Sequence, residues 1–202
     1  MIRDKELHHE NIIEAATKEF LQYGFVDASM RRIASLSKMS VAGLYKHFAS
    51  KEEMFCAVVE PVLFGLLTLY KNEDESEDII ENIDPSMLDN SHEARRAMEY
   101  IYDNFEVFQL IVCKSKGTQY EDFLHKIAVL EEEATLSFME KLKKQGVPIR
   151  DYSKKELHLL TTANMSAIFQ AVEHGFSREE AFHYADTLDR FFSKAWKEFF
   201  GY

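Results

Sequence analysis

The sequence predicts an all-α protein in which a small helical head precedes a larger helical body. Glycine and proline are scarce, at 7 and 3 of 202 residues, and apolar residues make up 46% of the chain. No segment alternates apolar and polar residues over the length of a strand, whereas apolar residues recur at three- and four-residue spacing. We expect two domains, over residues 1–49 and 50–202.

Three helices are predicted in the head, over residues 10–23, 30–36 and 41–47. The first carries an apolar stripe and ends at Gly24, as a C-terminal glycine favours. Ser29 and Ser40 are suitable N-cap residues for the second and third helices. Two short helices joined by a tight turn, after a longer supporting helix, are typical of a helix-turn-helix.

Capping-box sequences (S/T-x-x-E) predict helix starts in the body at Ser50, Thr118, Ser153 and Ser177. A further helix is predicted over residues 91–114. Pro61 lies inside the helix that follows Ser50, either as a plain bend or as a hinge. The acidic residues 72–90 predict an exposed connection, because they lack the spaced oxygen ligands and glycine of a calcium loop.

The charge of the head differs from that of the body. Residues 1–51 carry 8 Lys and Arg against 6 Asp and Glu, a net charge of +2, whereas residues 52–202 carry 16 against 29, a net charge of −13. No acidic residue occurs between Asp27 and Glu52. Since counterion release depends on the phosphates that a local surface neutralises, the chain's net charge of −11 leaves nucleic-acid binding possible.

Several classes of site have no signature in the sequence. It contains no glycine-rich phosphate loop, H-E-x-x-H, paired-cysteine site or G-x-S-x-G elbow, so we expect neither an enzyme nor a bound metal or cofactor. Cys56 and Cys113 stand in apolar surroundings and are expected to be buried thiols. No signal region or membrane span is evident, so we expect a cytoplasmic protein without a membrane partner.

The ordered motifs of the head resemble those of the TetR (tetracycline-repressor) family of bacterial transcriptional regulators. They are I-x-x-A-A-x-x-x-F-x-x-x-G-F from Ile12, S-M-x-x-I-A from Ser29, and S-x-x-x-L-Y-x-H-F-x-S-K-E-x-M-F from Ser40. The resemblance covers about residues 8–60. It implies a three-helix DNA-binding head, a helical effector domain and a two-fold homodimer on a palindromic operator of double-stranded DNA.

The resemblance also implies roles for residues of the head. Phosphate contacts fall on Ser29, Tyr45, His47 and Lys51, and base contacts on the helix start formed by Ser40, Val41, Ala42 and Gly43. The family's usual turn glycine is replaced by Lys38, which requires a left-handed conformation or a different turn. Because residues 41–43 offer few hydrogen bonds, we expect polar base readout from Arg31 and Lys46. Arg31→Ala is then expected to relax specificity, and Lys51→Ala to weaken binding to all sequences alike.

For the body, the resemblance implies a small-molecule pocket and a dimer built from the last two helices. The expected pocket residues, suited to a largely apolar effector, are Tyr70, Tyr102, Phe105, Phe108, Phe138 and Phe169. The expected dimer residues are Leu157, Leu160, Ile168, Leu188, Phe192, Trp196 and Phe199. Ordinary core packing is the alternative for both sets. His158 and Asn164 are either polar groups of the pocket or satisfied core groups.

The expected function is therefore a dimeric repressor that a small molecule releases from its operator. Two alternatives stay open on the sequence alone. One is an activator of the same family. The other is a helical protein-interaction module that has lost DNA binding.

Overall fold

The computed structural model describes residues 2–77 and 93–201, with side chains described over 8–68 and 94–201. The described residues form nine α-helices and no strand, which confirms the predicted all-α class. The helices are α1 (Ile2–Asp27), α2 (Met30–Leu36), α3 (Val41–Leu44), α4 (Lys51–Glu77), α5 (Glu93–Asp103), α6 (Phe105–Cys113), α7 (Phe123–Lys144), α8 (Lys154–Glu173) and α9 (Arg178–Phe200). None of the helices in the described ranges has the length and apolarity that a bilayer crossing requires.

The chain divides into two compact packing units. Unit 1 comprises Met1–Leu67 and Asn104–Glu121, and unit 2 comprises Thr68–Asp103 and Asp122–Tyr202. Unit 1 extends beyond residue 49 because the start of α4 and the whole of α6 belong to it. A functional boundary at residue 49 stays a prediction.

One face of α1 forms the centre of unit 1. Ile12, Ala16 and Phe20 are fully buried, and Phe20 meets Phe55 of α4 edge to face with ring centroids 5.1 Å apart. Gly24 interrupts the helical backbone with φ 74° and ψ 167°, which confirms the predicted stop. Glycine adopts positive φ at little cost, so the chain can turn sharply here toward α2.

Lys38 closes the turn between α2 and α3 in a left-handed conformation, with φ 56°. Its amide donates to Ser35 O at 3.2 Å, and the amide of Met39 donates to Ala34 O at 2.8 Å. These two bonds are those of a Schellman motif at a helix C-terminus. Of the two alternatives that the sequence left for this turn, the structure has the left-handed one.

The third helix is shorter than predicted. Helical residues end at Leu44, and the chain continues to His47 in turns closed by bonds from Lys46 N to Gly43 O and from His47 N to Leu44 O, at 3.1 and 3.0 Å. Three-residue closures of this kind are common where a short helix ends.

α4 continues through Pro61 and past its predicted end. Its predicted start is confirmed, because Glu53 N donates to Ser50 Oγ at 3.0 Å. Residues 72–77, predicted as part of an exposed connection, are helical; the glutamates there favour helix. The rest of the predicted connection, residues 78–90, lies outside the described residues.

The predicted single helix over 91–114 is wrong, because the chain breaks at Asn104 into α5 and α6. Asn104 has φ −125° and ψ 33°, far from the helical φ of about −63°. Its carbonyl accepts from Val107 N and Phe108 N, both at 3.1 Å, so a new helix begins there.

The predicted capping box at Thr118 and Glu121 is also wrong. The hydroxyl of Thr118 donates to Ser115 O at 2.7 Å, and the carboxylate of Glu121 accepts from Gly117 N at 2.8 Å. Both side chains therefore stabilise the turn that precedes them, and α7 begins only at Phe123.

The two capping boxes at the starts of α8 and α9 are confirmed. Ser153 pairs with Glu156, and Ser177 pairs with Glu180, each with both reciprocal hydrogen bonds. The amide and hydroxyl of Ser177 hold the pKa of the Glu180 carboxyl below its ordinary value.

A long-range contact holds the start of α5 against α9. The carboxylate of Asp189 accepts from Ala94 N at 2.9 Å and from Arg95 N at 3.3 Å, which caps α5 from 95 residues away. The guanidinium of Arg95 binds both carboxylate oxygens of Asp186, at 2.9 and 3.0 Å. Unit 2 also contains a buried cluster of Met139, Leu157 and Phe200.

Candidate nucleic-acid interface

The ten residues predicted to contact DNA all lie in unit 1, on α2, on α3, on the segments beside them and, for Lys51, at the start of α4. The side chains with an exposed surface are those of Arg31, Ser40, Ala42, Tyr45, Lys46 and His47. Ser29, Val41, Gly43 and Lys51 are half-buried. Consecutive elements thus bring six exposed groups together around a single short turn.

The start of α3 is built for close approach rather than for many hydrogen bonds. Ser40 is extended, and its hydroxyl accepts from Gly43 N at 3.0 Å. A Cβ atom at Gly43 would stand 3.1 Å from Ser40 Oγ and 3.4 Å from Met39 Cε, so a side chain there presses on the cap. Leu44 is fully buried and fixes α3 to the core of unit 1.

A buried carboxylate organises the start of α2. Glu19 of α1 is 2% exposed, and its Oε1 accepts from Ser29 N at 2.8 Å. The same oxygen accepts from Arg32 Nε at 2.7 Å and lies 2.6 Å from the Nη2 atom of that guanidinium. A negative group at a helix N-terminus offsets the positive end of the helix dipole.

Arg32 is therefore bound to groups of the protein itself, although 46% of its side-chain surface is exposed. Besides its bonds to Glu19, its Nη2 atom donates to Asp27 O at 2.8 Å, and its guanidinium stacks 4.1 Å from the centre of the Tyr23 ring. The hydrogen bond with Glu19 raises the pKa of Arg32 above its ordinary value. Its neighbour Arg31 has no hydrogen bond or ion pair among the described residues.

Lys51, predicted to contact a phosphate, is bound to the turn between α1 and α2. Its Nζ atom donates to Val26 O at 2.8 Å and to Ala28 O at 3.1 Å, and it lies 4.7 Å from the centre of the Phe25 ring. An ammonium has three N–H donors, so one is left for a phosphate, and that contact stays a prediction. Substitution of Lys51 would loosen this turn as well as remove a charge.

Sequence reasoning missed the role of Glu19, although a signal was present. Glu19 stands on the same helical stripe as Ile12, Ala16 and Phe20, all of which are buried. A carboxylate on an apolar stripe must find a cationic or N–H partner, because an unpaired buried charge is very costly. Which partner it finds depends on the packing of α2 against α1.

The residues predicted to line an effector pocket do not all belong to one unit. Phe105 and Phe108 lie in unit 1, whereas Tyr102, Phe138 and Phe169 lie in unit 2. The hydroxyl of Tyr102 donates to the carbonyl of Phe176 at 2.8 Å. Phe108 and Phe169 are buried, and Phe169 packs edge to face on Phe123 at 5.4 Å. The side chain of Tyr70 lies outside those described.

His158, one of the two polar residues considered for the pocket, is paired. Its Nδ1 atom lies 2.8 Å from Oε2 of Glu132, a carboxylate that is 8% exposed. The His158 ring also meets that of His125, with centroids 5.9 Å apart. Asn164 is half-buried. Among the side chains described, no three His, Cys, Asp or Glu groups are placed to hold a metal ion.

The expectation of buried thiols is wrong for Cys113, which is exposed, and Cys56 is half-buried. The Sγ atom of Cys56 accepts from Gln119 Nε2 at 3.1 Å. Tyr120 OH donates to Glu60 Oε1 at 3.0 Å. Burial, followed by the hydrogen bonds with Cys56 and Glu60, raises the pKa of the Tyr120 phenol. These contacts tie the turn after α6 to α4 within unit 1.

The predicted dimer residues divide by burial. Leu157, Ile168 and Leu188 are at most 7% exposed within unit 2, so they belong to its own core and offer little surface to a partner. Leu160 is 40% exposed, and Phe192, Trp196 and Phe199 are half-buried.

The most exposed apolar side chains of α8 and α9 are ones that the sequence did not single out. Leu159 is 67% exposed and Phe191 is 66% exposed. Residues of α9 border a shallow, open groove on the surface of the helix: Thr187, Arg190, Phe191, Lys194 and Ala195. A monomer leaves this apolar surface in water, so it is a candidate for contact with another chain.

Comparison with known proteins points to one family. The model of the tetR family of bacterial regulatory proteins matches residues 12–58. The HTH-type transcriptional repressor NicS of Pseudomonas putida is 36% identical over 53 residues, an alignment that covers 26% of this chain and 25% of NicS.

Similarity to solved structures extends over nearly the whole chain. The TetR family transcriptional regulator PfmR from Thermus thermophilus is 26% identical, with a TM-score of 0.56 over 89% of this chain and 97% of PfmR. A TetR-like transcriptional regulator from a Rhodococcus species is 20% identical, with a TM-score of 0.55 over 96% and 97% of the two chains, a likeness of fold alone. These proteins are regulators, in agreement with the expectation that the chain is not an enzyme.

Proposed function

Since the chain belongs to the TetR family of bacterial regulatory proteins, we propose that it binds double-stranded DNA as a homodimer and represses transcription until a small molecule releases it. The DNA-binding part is α1–α3, and the operator is a palindrome. The protein acts in the cytoplasm, where bacterial DNA lies.

The observation that carries this proposal is the surface around α2 and α3. Arg31, Tyr45, Lys46 and His47 are exposed there, and the sequence places no acidic residue between Asp27 and Glu52. Tyrosine hydroxyls and cationic groups are common phosphate contacts, and they fix a protein on the duplex. The small residues 41–43 let α3 approach the base edges closely in a major groove.

The dimer uses the exposed faces of α8 and α9. Phe191 lies in the groove on α9, and Leu159 and Leu160 are exposed on α8, so pairing of two copies would cover apolar surface that one copy leaves in water. A two-fold dimer also places two recognition helices at half-sites separated by about 34 Å, one turn of DNA. Palindromic operators follow from that symmetry.

Repression is supported by the relative NicS, which is described as a transcriptional repressor. Release by an effector is proposed from the family, and the aromatic side chains of α5, α7 and α8 favour a largely apolar molecule. Native mass spectrometry of the purified full chain tests this part. A small molecule retained by the folded protein is expected, and its addition should lower DNA affinity.

DNA binding itself is tested by selection from random duplexes with the purified full chain. The expected product is a palindromic sequence whose half-sites are about one helical turn apart. A protein that enriches no sequence and binds no duplex at low salt would contradict the proposal. Ala42→Glu, which puts a carboxylate on the exposed start of α3, should abolish binding while the thermal unfolding midpoint changes little.

A further inference from the structure

Two neighbouring arginines at the start of α2 have different surroundings. Both side chains are exposed, that of Arg32 to 46%, but Arg31 has no hydrogen bond or ion pair among the described residues. Arg32 has its Nε and Nη2 atoms bound to Glu19 and to the carbonyl of Asp27, and its guanidinium lies on the ring of Tyr23. The sequence predicts base readout for Arg31 and not for Arg32, and the fold gives the two guanidinium groups different surroundings.

The group that separates them is Glu19. Its carboxylate is 2% exposed, so it is held in one place by the core of unit 1 rather than by solvent. Its Oε1 atom binds the amide of Ser29, the residue before α2, as well as the guanidinium of Arg32. One oxygen therefore sets both the position of the helix start and the direction of one of its two cations.

We propose that Glu19 is a positioning residue for DNA recognition, which holds the start of α2 and withholds Arg32 from DNA, so that Arg31 is the arginine of α2 that contacts the operator. This inference rests on the proposed DNA binding. The inference goes beyond DNA binding in two ways. It assigns the DNA contact to only one of two adjacent cations, and it assigns a role to a residue of α1 that does not itself reach the DNA.

Three physical consequences follow. The charge of Arg32 is offset by Glu19, so it releases no counterion from DNA. The amide of Ser29 is already bound to a carboxylate, so it is not available to a phosphate. Arg31 keeps its full charge and all five N–H donors for a phosphate or for the O6 and N7 atoms of a guanine.

The test compares Arg31→Gln with Arg32→Gln in the full chain, because the two substitutions remove the same charge one residue apart. Affinity is measured on two duplexes, one enriched by selection with the unmodified protein and one of mixed sequence, between about 50 and 200 mM salt. The slope of log affinity against log salt counts the phosphates neutralised, at about 0.9 per contact. Thermal unfolding is recorded for every variant.

We expect Arg31→Gln to flatten that slope by about 0.9, or to narrow the difference in affinity between the two duplexes. Arg32→Gln is expected to lower the unfolding midpoint. It should leave the salt slope and the difference in affinity between the two duplexes at their original values. A flattening by Arg32→Gln as large as that caused by Arg31→Gln would overturn the inference. If the unmodified protein binds neither duplex, the proposed function fails first and the inference fails with it.

Glu19→Gln provides the second comparison. The neutral amide can still accept from Ser29 N but no longer offsets the charge of Arg32, so the salt slope should steepen by up to about 0.9. The double variant Glu19→Gln/Arg32→Gln should return the slope to its original value. An unchanged slope in Glu19→Gln, with the fold intact, would show that Glu19 does not withhold Arg32. Should Glu19→Gln fail to fold, the comparison of Arg31→Gln with Arg32→Gln decides.

Discussion

Lys38→Gly should stabilise the protein, because Lys38 holds a left-handed backbone with φ 56° and its side chain is exposed. A left-handed conformation costs an L-residue about 1–2 kcal/mol, a penalty that glycine does not have. Glycine loses more conformational entropy on folding, which costs about 0.5–1 kcal/mol. The net gain in the free energy of unfolding is therefore between about 0 and 1.5 kcal/mol, and its central value of about 0.75 kcal/mol raises the unfolding midpoint of a chain of this size by about 1.5–3 °C.

The matched control is Lys38→Ala, measured by circular dichroism in the same thermal scan. Alanine removes the same charge and side chain but keeps the left-handed penalty, so its unfolding midpoint should stay at or below that of the unmodified protein. The difference between the two variants isolates the backbone contribution. Both variants remove one positive charge near α3, so any loss of DNA affinity should be equal in the two.

A glycine variant no more stable than the alanine variant would refute this reasoning. It would mean that the conformational entropy that glycine loses on folding cancels the left-handed penalty in full.

Three further predictions concern unit 2. Phe191→Glu should convert the dimer to monomers in light scattering, because Phe191 is 66% exposed on α9, whereas the control Leu130→Glu, at a 46% exposed position of α7, should leave the protein dimeric. A Phe191→Glu protein that stays dimeric would remove α9 from the interface, and monomers from both variants would contradict an interface specific to α9. Asp189→Ala should lower the free energy of unfolding by about 1 kcal/mol, because α5 loses its cap, and Asp189→Asn should lower it by less. Chemical denaturation measures both losses, and equal losses would contradict a capping role for Asp189. Glu180→Gln should destabilise most at neutral pH, because a carboxyl whose folded-state pKa is lowered stabilises the fold fully above its unfolded pKa. The loss should begin to shrink as the pH falls past the ordinary glutamate pKa of about 4.3 and should vanish below the lowered folded-state pKa. A loss independent of pH would exclude the hydrogen bonds from Ser177 as its cause.

The role of Lys51 illustrates how the structure changes the meaning of a residue that the sequence identified. The family resemblance gives Lys51 a phosphate contact, whereas the structure places its ammonium on the carbonyls of Val26 and Ala28. Binding to a turn that precedes α2 and binding to a phosphate are compatible for a group with three donors. The Lys51→Ala variant is therefore expected to lose thermal stability as well as affinity for every DNA sequence.

The features that could be predicted from the sequence alone depend on residues within about four positions of one another. The capping boxes at Ser153 and Ser177 and the stop at Gly24 are of this kind. Each is set by backbone groups that the next turn of the chain supplies, so local residue types suffice to predict it.

The partners that charged and polar side chains bind, many of them far away in the chain, follow from the packing of the fold. Asp189 caps α5 from 95 residues away, and Lys51 reaches Ala28 across 23 residues. Thr118 and Glu121 have the spacing of a capping box yet bind Ser115 and Gly117 in the turn before them, which residue spacing alone did not show. Glu19 belongs to the same class, since its place on α1 predicts burial while only the packing of α2 selects its partners, Ser29 and Arg32. A buried charge must be paired, but the sequence does not say with what.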